Sequence, residues 1–398
     1  MEVNVLAHIL LTICLSIFLF FFGFVCLKKK ELVFLTLAAF AVKSLLIYAI
    51  FQFPALFDSG FFVDSKAYQA ATARTSQYFQ IETFFPSNNV YDTWDTQVSY
   101  VYILIVNPFY LLFKSASTGF LLNAFFYVTS LVILYRLFTD RLTSRQTDIA
   151  FALLLVWPSL FFNSLLFIRD GLILLLLLIF LYFYGKKASL LKFLVLALCV
   201  FLEVQIRWYV GLSMVLFIIG DIILAIGRRN RFVFYLLSLG FLVIIVLLVN
   251  YLGFTLDTIQ GFRNILTGLE GNYNANSVYL QGFIIDNYFK LFLFIPLSVL
   301  HFLFSPLIPS GGNPATLLAC VENLTLVIMA CYAFWPGKIA VGHSMVPILK
   351  HSLLFSIPLL LVYSFGVADS GTAMRQKVFL IFIIVFAFFK RREWILKS

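Results

Sequence analysis

The sequence predicts an all-α protein, a polytopic bundle of transmembrane helices, and three observations carry that expectation. Hydrophobic residues make up 62% of the 398-residue chain and charged residues only 12%, about half the charged share usual in a soluble domain. Apolar runs recur along the whole length, many of them near the roughly 20 residues with which a helix crosses a bilayer core. The basic residues sit in short clusters at the ends of those runs, where they set topology. The net charge of +10 is therefore no argument for a nucleic-acid partner. One integral membrane domain, 1–398, is expected.

The first run, from about Val5 to Leu27, is too long for a signal-peptide core, and Lys28, Lys29 and Lys30 follow it instead of preceding it. It is expected to be a retained span. Placing the basic clusters in the cytoplasm orders the path: Lys28 to Lys30; Arg136, Arg141 and Arg145; Lys186, Lys187 and Lys192; Arg228, Arg229 and Arg231; Lys338 and Lys350; Lys390, Arg391 and Arg392. Three apolar stretches, near 32–51, 98–113 and 118–138, separate the first two clusters. Both clusters belong on one side, so one stretch does not cross. The middle one is shortest and contains Asn107-Pro108, and it is expected to form an in-plane or re-entrant helix on the outer surface. A second such helix is expected near 289–308, which Pro296, His301 and Pro306 interrupt. The expectation is about eleven transmembrane helices, with the N-terminus outside and the C-terminus cytoplasmic. Two large outer loops, about 52–117 and 253–314, make the outer face the working face.

Several chemistries have no anchor in the sequence. There is no Walker or dinucleotide glycine motif, no HExxH and no GxSxG. Cys14, Cys26, Cys199, Cys320 and Cys331 lie inside apolar runs without metal-ligand spacing, and His8, His301, His343 and His351 are scattered. No cofactor and no metal site are expected. A divalent metal would have to use outer-loop carboxylates such as Asp58, Asp92 and Asp95.

Three arginines stand against the inward bias of positive charge, since Arg169, Arg207 and Arg375 fall at the outer ends of hydrophobic helices. An ionisable group at such a position is costly unless paired and is a functional candidate by default. Arg169 is followed by Asp170, Arg207 lies one helical turn from Glu203 and close enough to pair with it, and Arg375 is joined by Lys377. Guanidinium groups offer a rigid fork of donors suited to phosphate oxygens, so the cations are candidates for holding a lipid phosphate or pyrophosphate. The plainer alternative is snorkelling to headgroups or local ion pairing. Glu322, beside Asn323 in an apolar run, is read as a partner for a cation of the bundle or as a hydrogen-bonding group between helices. Asp64, in Asp64-Ser65-Lys66-Ala67-Tyr68, is a candidate base for a sugar hydroxyl, although an Asp-Ser pair ahead of a helix is also an ordinary cap.

These segments, together with Trp157-Pro158-Ser159, Arg207-Trp208-Tyr209, Phe304-Ser305-Pro306 and Gly371-Thr372-Ala373-Met374-Arg375, resemble the GT-C glycosyltransferase superfamily and Wzy-type O-antigen or capsule polymerases. The likeness covers most of the chain in order and layout, through short motifs. It implies a GT-C-like bundle in the bacterial inner membrane that transfers or polymerises sugars carried on polyprenyl phosphate or pyrophosphate at the outer leaflet. Its partners would be a polyprenyl-linked saccharide donor, an acceptor, membrane lipid and other polysaccharide assembly proteins. The resemblance maps the catalytic base onto Asp64, phosphate binding onto Arg169, Arg207, Arg375 and Lys377, and supporting roles onto Asp170, Glu203, Glu322 and Tyr68. Two departures stand out: Ser65 occupies the place of a second acid common in some GT-C branches, and no clean Arg-Gly loop motif surrounds Arg263. A lipid-linked oligosaccharide flippase is the competing function, and a membrane scaffold whose outer charges are dispensable is a third.

Overall fold

The computed structural model describes residues 4–53, 65, 68–70, 72, 100–227, 230, 232–240, 256–257, 260–261, 264, 283–306, 314–334, 360 and 375–395. Among them every regular element is helical, with no strand. The chain divides into two compact units, one running to Gly211 and the other beginning at Leu212.

The first unit starts with α1 (Val5–Leu27), whose first turn is capped by the side chain of Asn4 accepting from Ala7 N at 3.1 Å. Lys28 ends it in the left-handed conformation, φ 58°, and the chain turns directly into α2 (Lys30–Gln52). After α3 (Tyr100–Phe113), which contains Pro108, come α4 (Thr118–Thr139), α5 (Ser144–Leu155), α6 (Pro158–Ser164) and α7 (Asp170–Tyr184). A capping box between Thr143 and Gln146 starts α5. Trp157-Pro158 ends it, because a residue before proline is pushed out of the helical region while proline itself suits a first helical position. The result is a 52° bend between α5 and α6. α8 (Leu190–Gly227) then crosses from the first unit into the second.

Among the described residues four helices, α1, α2, α4 and α8, are long and apolar enough to cross a membrane, and the bent pair α5–α6 makes a fifth if it is one broken span. The apolar helices α3 and α7 are shorter. α3 falls on the stretch expected to lie in the membrane plane, and its Tyr102, Val106 and Asn107 are buried.

α4 is the centre of the unit, packing against α1, α2, α3, α5, α6 and α7 and burying most of its residues. Two ends of this bundle are marked by polar contacts. At one end Lys29 meets Asp148 at 2.5 Å, Tyr135 donates to Asp148 at 3.1 Å, and Arg136 donates to Val25 O at 3.0 Å. The first two basic clusters of the sequence thus share one end, as their expected common side requires. At the other end His8 lies between Ser117 Oγ at 2.8 Å and Ser44 Oγ at 3.0 Å. Asn123 there accepts from Gly171 N at 3.1 Å, so α4 and α7 both start at this end and run towards the basic one.

Two glycines permit the packing at that start. A Cβ on Gly119 would fall on the Phe167 ring, and one on Gly171 would stand 2.3 Å from the Asn123 side-chain oxygen, both closer than real Cβ atoms come. Gly171→Ala is expected to destabilise the protein by about 1–3 kcal/mol through overpacking. A lowered thermal midpoint of the purified variant checks this.

In the second unit, α9 (Tyr288–Phe304) contains Pro296, and α10 (Pro314–Phe334) packs against both α9 and α11 (Val378–Ile395). The side chain of Asn287 caps α9, accepting from Lys290 N at 2.8 Å. α9 and α10 are again shorter apolar helices.

Candidate functional site

The site is built where helices break. Between α6 and α7, residues 165–169 leave the helical path, so their backbone groups need partners from outside. Asn123 ties the segment and its flanking helices together: its amide donates to Asn163 O at 3.0 Å and to Leu166 O at 2.7 Å while its oxygen accepts from Gly171 N. Ser65 Oγ accepts from Phe167 N at 3.0 Å. The Phe167 ring is held among Tyr68, Tyr102 and Phe120 at centroid distances of 5.9, 6.0 and 5.7 Å. From α2, the buried Lys43 donates to Ser164 Oγ and to Phe161 O, its ammonium 4.2 Å from the Phe161 ring centroid.

The second break is inside α8. Arg207 has φ −153° and ψ 86°, which interrupts the helix. The chain doubles back sharply there. A Cβ on Gly211 would stand 2.7 Å from Val204 N, whereas residues seven apart in an unbroken helix are about 10 Å apart. A break of this kind frees carbonyl groups, and the guanidinium of Arg169 takes one of them, donating to Ile206 O at 3.1 Å.

The two breaks meet through an ion pair. Arg207 lies 2.9 Å from Asp170, and both side chains are less than a tenth exposed. Tyr209 lies under the same guanidinium, at 5.8 Å to the ring centroid. Asp170 occupies the first turn of α7, where a negative charge also suits the helix dipole. Glu203 is fully buried, and the charges acting on it are Arg207, Arg169 and Asp170. Its two carboxyl oxygens have no hydrogen-bond partner among the described residues.

Helix rise puts these groups at one level. Asp170 begins a helix of 15 residues, about 22 Å of rise from its far end. Arg207 follows seventeen residues after Leu190, about 25 Å, and Lys43 thirteen after Lys30, about 20 Å.

The pairing that sequence spacing offers is extended in the structure. Glu203, one turn before Arg207 in sequence, does feel its charge, and Asp170 of α7, which spacing does not point to, is the acid in direct contact with Arg207 at 2.9 Å. Asp170 therefore pairs away from its neighbour Arg169, which holds the Ile206 carbonyl instead. Asp64 lies outside the described residues, as do Asp58, Asp92 and Asp95. Tyr68 is buried, packed edge-on against Tyr102 at 5.5 Å.

The remaining candidates belong to the second unit. Lys377 is buried and donates to Asn323 Oδ1, while the Asn323 amide donates to Pro306 O at 3.0 Å. Glu322, buried on the same helix, acts electrostatically on Lys377. Glu322 and Asn323 thus both act on Lys377, the first through its charge and the second through a hydrogen bond. Arg375 is half-buried just before α11.

Lys43, Asn123 and Phe167 were not singled out in the sequence. A lysine in Phe40-Ala-Val-Lys43-Ser44 and an asparagine in Leu121-Leu122-Asn123-Ala124 both interrupt apolar runs, which is the signal that marked Glu322. Phe167 carries no such signal, because its role comes from Gly119 across the helix interface. Among the described residues no three His, Cys, Asp or Glu side chains gather as metal ligands would.

Fold and site together define an all-helical protein with helices of membrane-crossing length and a buried cluster of arginines and acids where two helices break. No family model matches the chain, and no curated protein or solved structure matches it.

Proposed function

We propose that this protein works in bacterial surface polysaccharide assembly, transferring or polymerising sugars carried on polyprenyl phosphate or pyrophosphate at the outer leaflet of the inner membrane. The observation that carries the reading is the buried cluster of Arg169, Asp170, Glu203 and Arg207 at the end of the bundle opposite Lys29, Arg136 and Asp148. With the basic end cytoplasmic, the cluster lies towards the outer leaflet, in a GT-C-like bundle of about eleven spans. Guanidinium groups in a low-dielectric setting suit a departing lipid phosphate. Ser65, the residue after Asp64, is bonded two residues from Arg169, which supports a base contributed by the same segment.

In this mechanism Asp64 takes the proton of the acceptor hydroxyl as its oxygen attacks the anomeric carbon. The bond from that carbon to the phosphate oxygen breaks with inversion, and the phosphate leaves towards Arg207 and Arg169. Arg375 and Lys377 are the corresponding candidates of the second unit.

One observation favours a flippase instead. The cluster sits at broken helices, the arrangement in which transporters bind ions and anionic substrates.

The test is complementation of a polysaccharide-deficient deletion strain with Asp64→Asn, Arg207→Ala and Arg375→Ala, reading polymer length on a gel. Loss of the ladder at normal protein levels is expected for each. A normal ladder from all three would overturn the assignment. Single repeats in the deletion strain indicate a polymerase, a repeat lacking one sugar indicates a transferase, and lipid-linked repeats trapped on the cytoplasmic leaflet indicate a flippase.

A further inference from the structure

Glu203 stands outside the ion pair of the cluster. Arg207 is taken up by Asp170 at 2.9 Å, and Arg169 donates to the Ile206 carbonyl at 3.1 Å. Glu203 is completely buried beside them, and neither of its oxygens has a hydrogen-bond partner among the described residues. An ion so placed would have given up water without gaining a donor, so the carboxyl is a neutral acid. A neutral acid brings an O–H group that needs an acceptor. Guanidinium groups offer none, and the Asp170 carboxylate is bonded to Arg207 instead. A buried donor without an acceptor calls for an explanation. We infer that the bound anion supplies the acceptor: Glu203 keeps its proton and donates a hydrogen bond to a phosphate oxygen that Arg169 and Arg207 attract. The inference rests on the anion-binding reading above and assigns Glu203 a direct part in it.

Charge points the same way. With Glu203 neutral, Arg169, Arg207 and Asp170 leave the four groups with one net positive charge, in surroundings where charge is poorly screened. That charge attracts an anion, and Arg169 is only half-buried, which leaves the cluster reachable from its side. An ionised Glu203 would repel the phosphate that the arginines draw in. A protonated Glu203 adds a third donor to the two guanidinium groups, and a hydrogen bond to an ionised acceptor is of the stronger kind. No proton is exchanged when the anion binds, because the proton stays on the carboxyl.

Infrared difference spectra test this on the full chain, purified in lipid nanodiscs and recorded near neutral pH with and without geranyl methyl phosphate. The diester carries one negative charge that does not titrate in this range. The wild-type chain is expected to show a protonated-carboxyl band, absent from Glu203→Gln, that moves to lower frequency when the diester binds. Glu203→Leu, similar in volume and without a donor, is expected to bind about tenfold more weakly or worse, as befits a lost hydrogen bond to a charged acceptor. Glu203→Gln, whose amide still donates, is expected to stay within about threefold of the wild-type affinity. Without the diester, Glu203→Leu is expected to melt no lower than the wild-type chain, because it removes a buried polar group that has no partner. A residue that only propped the fold would lower stability and affinity together. A carboxylate instead of the neutral band before binding, a neutral band that the diester leaves unmoved, or wild-type affinity in Glu203→Leu would each overturn the inference and leave the anion site standing. Failure of the wild-type chain to bind the diester would remove the anion-site reading and the inference together. If Glu203→Leu does not fold, the spectra of the wild-type and Glu203→Gln chains decide by themselves.

Discussion

Replacing Arg207 with methionine is expected to destabilise the protein by about 3–5 kcal/mol, the cost of leaving a buried charge without its partner. The charge concerned is Asp170, 2.9 Å from the guanidinium and only 8% exposed. Adding Asp170→Asn to the same chain is expected to restore most of that stability, because removing both members of a buried pair is close to neutral where removing one is not. The double variant is nevertheless expected to give no polymer ladder, since the guanidinium proposed to meet the phosphate is gone. Thermal melting of the purified single and double variants, beside complementation, separates the two roles. A double variant that is both stable and fully active would reduce the ion pair to scaffolding.

Asn123→Leu is expected to have the second large effect. The substitution preserves shape but orphans Leu166 O and Gly171 N and leaves Asn163 O with backbone donors alone. Each buried group left unpaired costs about 1–3 kcal/mol, so a loss of about 2 kcal/mol is expected from the low end of that range for the two orphaned groups. Asn123→Asp retains the acceptor for Gly171 N and loses both donors, so it is expected to destabilise as well, chiefly through the Leu166 carbonyl. The same damage reaches the site: the segment that Asn123 fixes leads through Phe167 to Arg169 and Asp170. Activity is therefore expected to fall even at temperatures where the variant remains folded. Denaturant titration of the purified variants checks the first expectation, and polymer yield per molecule of folded protein checks the second.

Much of the first unit was legible because bilayer length and charge placement leave few choices. The stretches expected near 32–51, 98–113 and 118–138 fall on α2, α3 and α4, and the Lys28–Lys30 and Arg136–Arg145 clusters share an end. The exceptional status of Arg169 and Arg207 was legible for the same reason, since a guanidinium far from a cytoplasmic cluster stands out against an apolar background. Their full set of partners was not legible. Spacing along one helix points to Glu203, which does feel Arg207, but not to Asp170, which only the fold brings to 2.9 Å, and no residue type in Ile206-Arg207-Trp208 announces the break there. Asn123 was hidden for a different reason: its three bonds reach residues 40 to 48 positions away, and its value depends on a non-helical segment that only tertiary packing creates. The small residues Gly119 and Gly171 likewise make sense only against Phe167 and Asn123.

The central claim is that the end of the bundle holding Asp170 and Arg207 faces outward and the end holding Lys29 and Asp148 faces the cytoplasm. Lys114, exposed in the turn ahead of Ser115 and Ser117, reports the first end, and Arg141, exposed after α4, reports the second. Single cysteines at these two positions, in a chain whose five native cysteines have been replaced, are to be labelled in intact cells with a membrane-impermeant maleimide. Labelling of Lys114→Cys in intact cells, and of Arg141→Cys only after the inner membrane is opened, is the result the topology predicts. The reverse pattern would place the arginine cluster on the cytoplasmic side and contradict an outer-leaflet reaction.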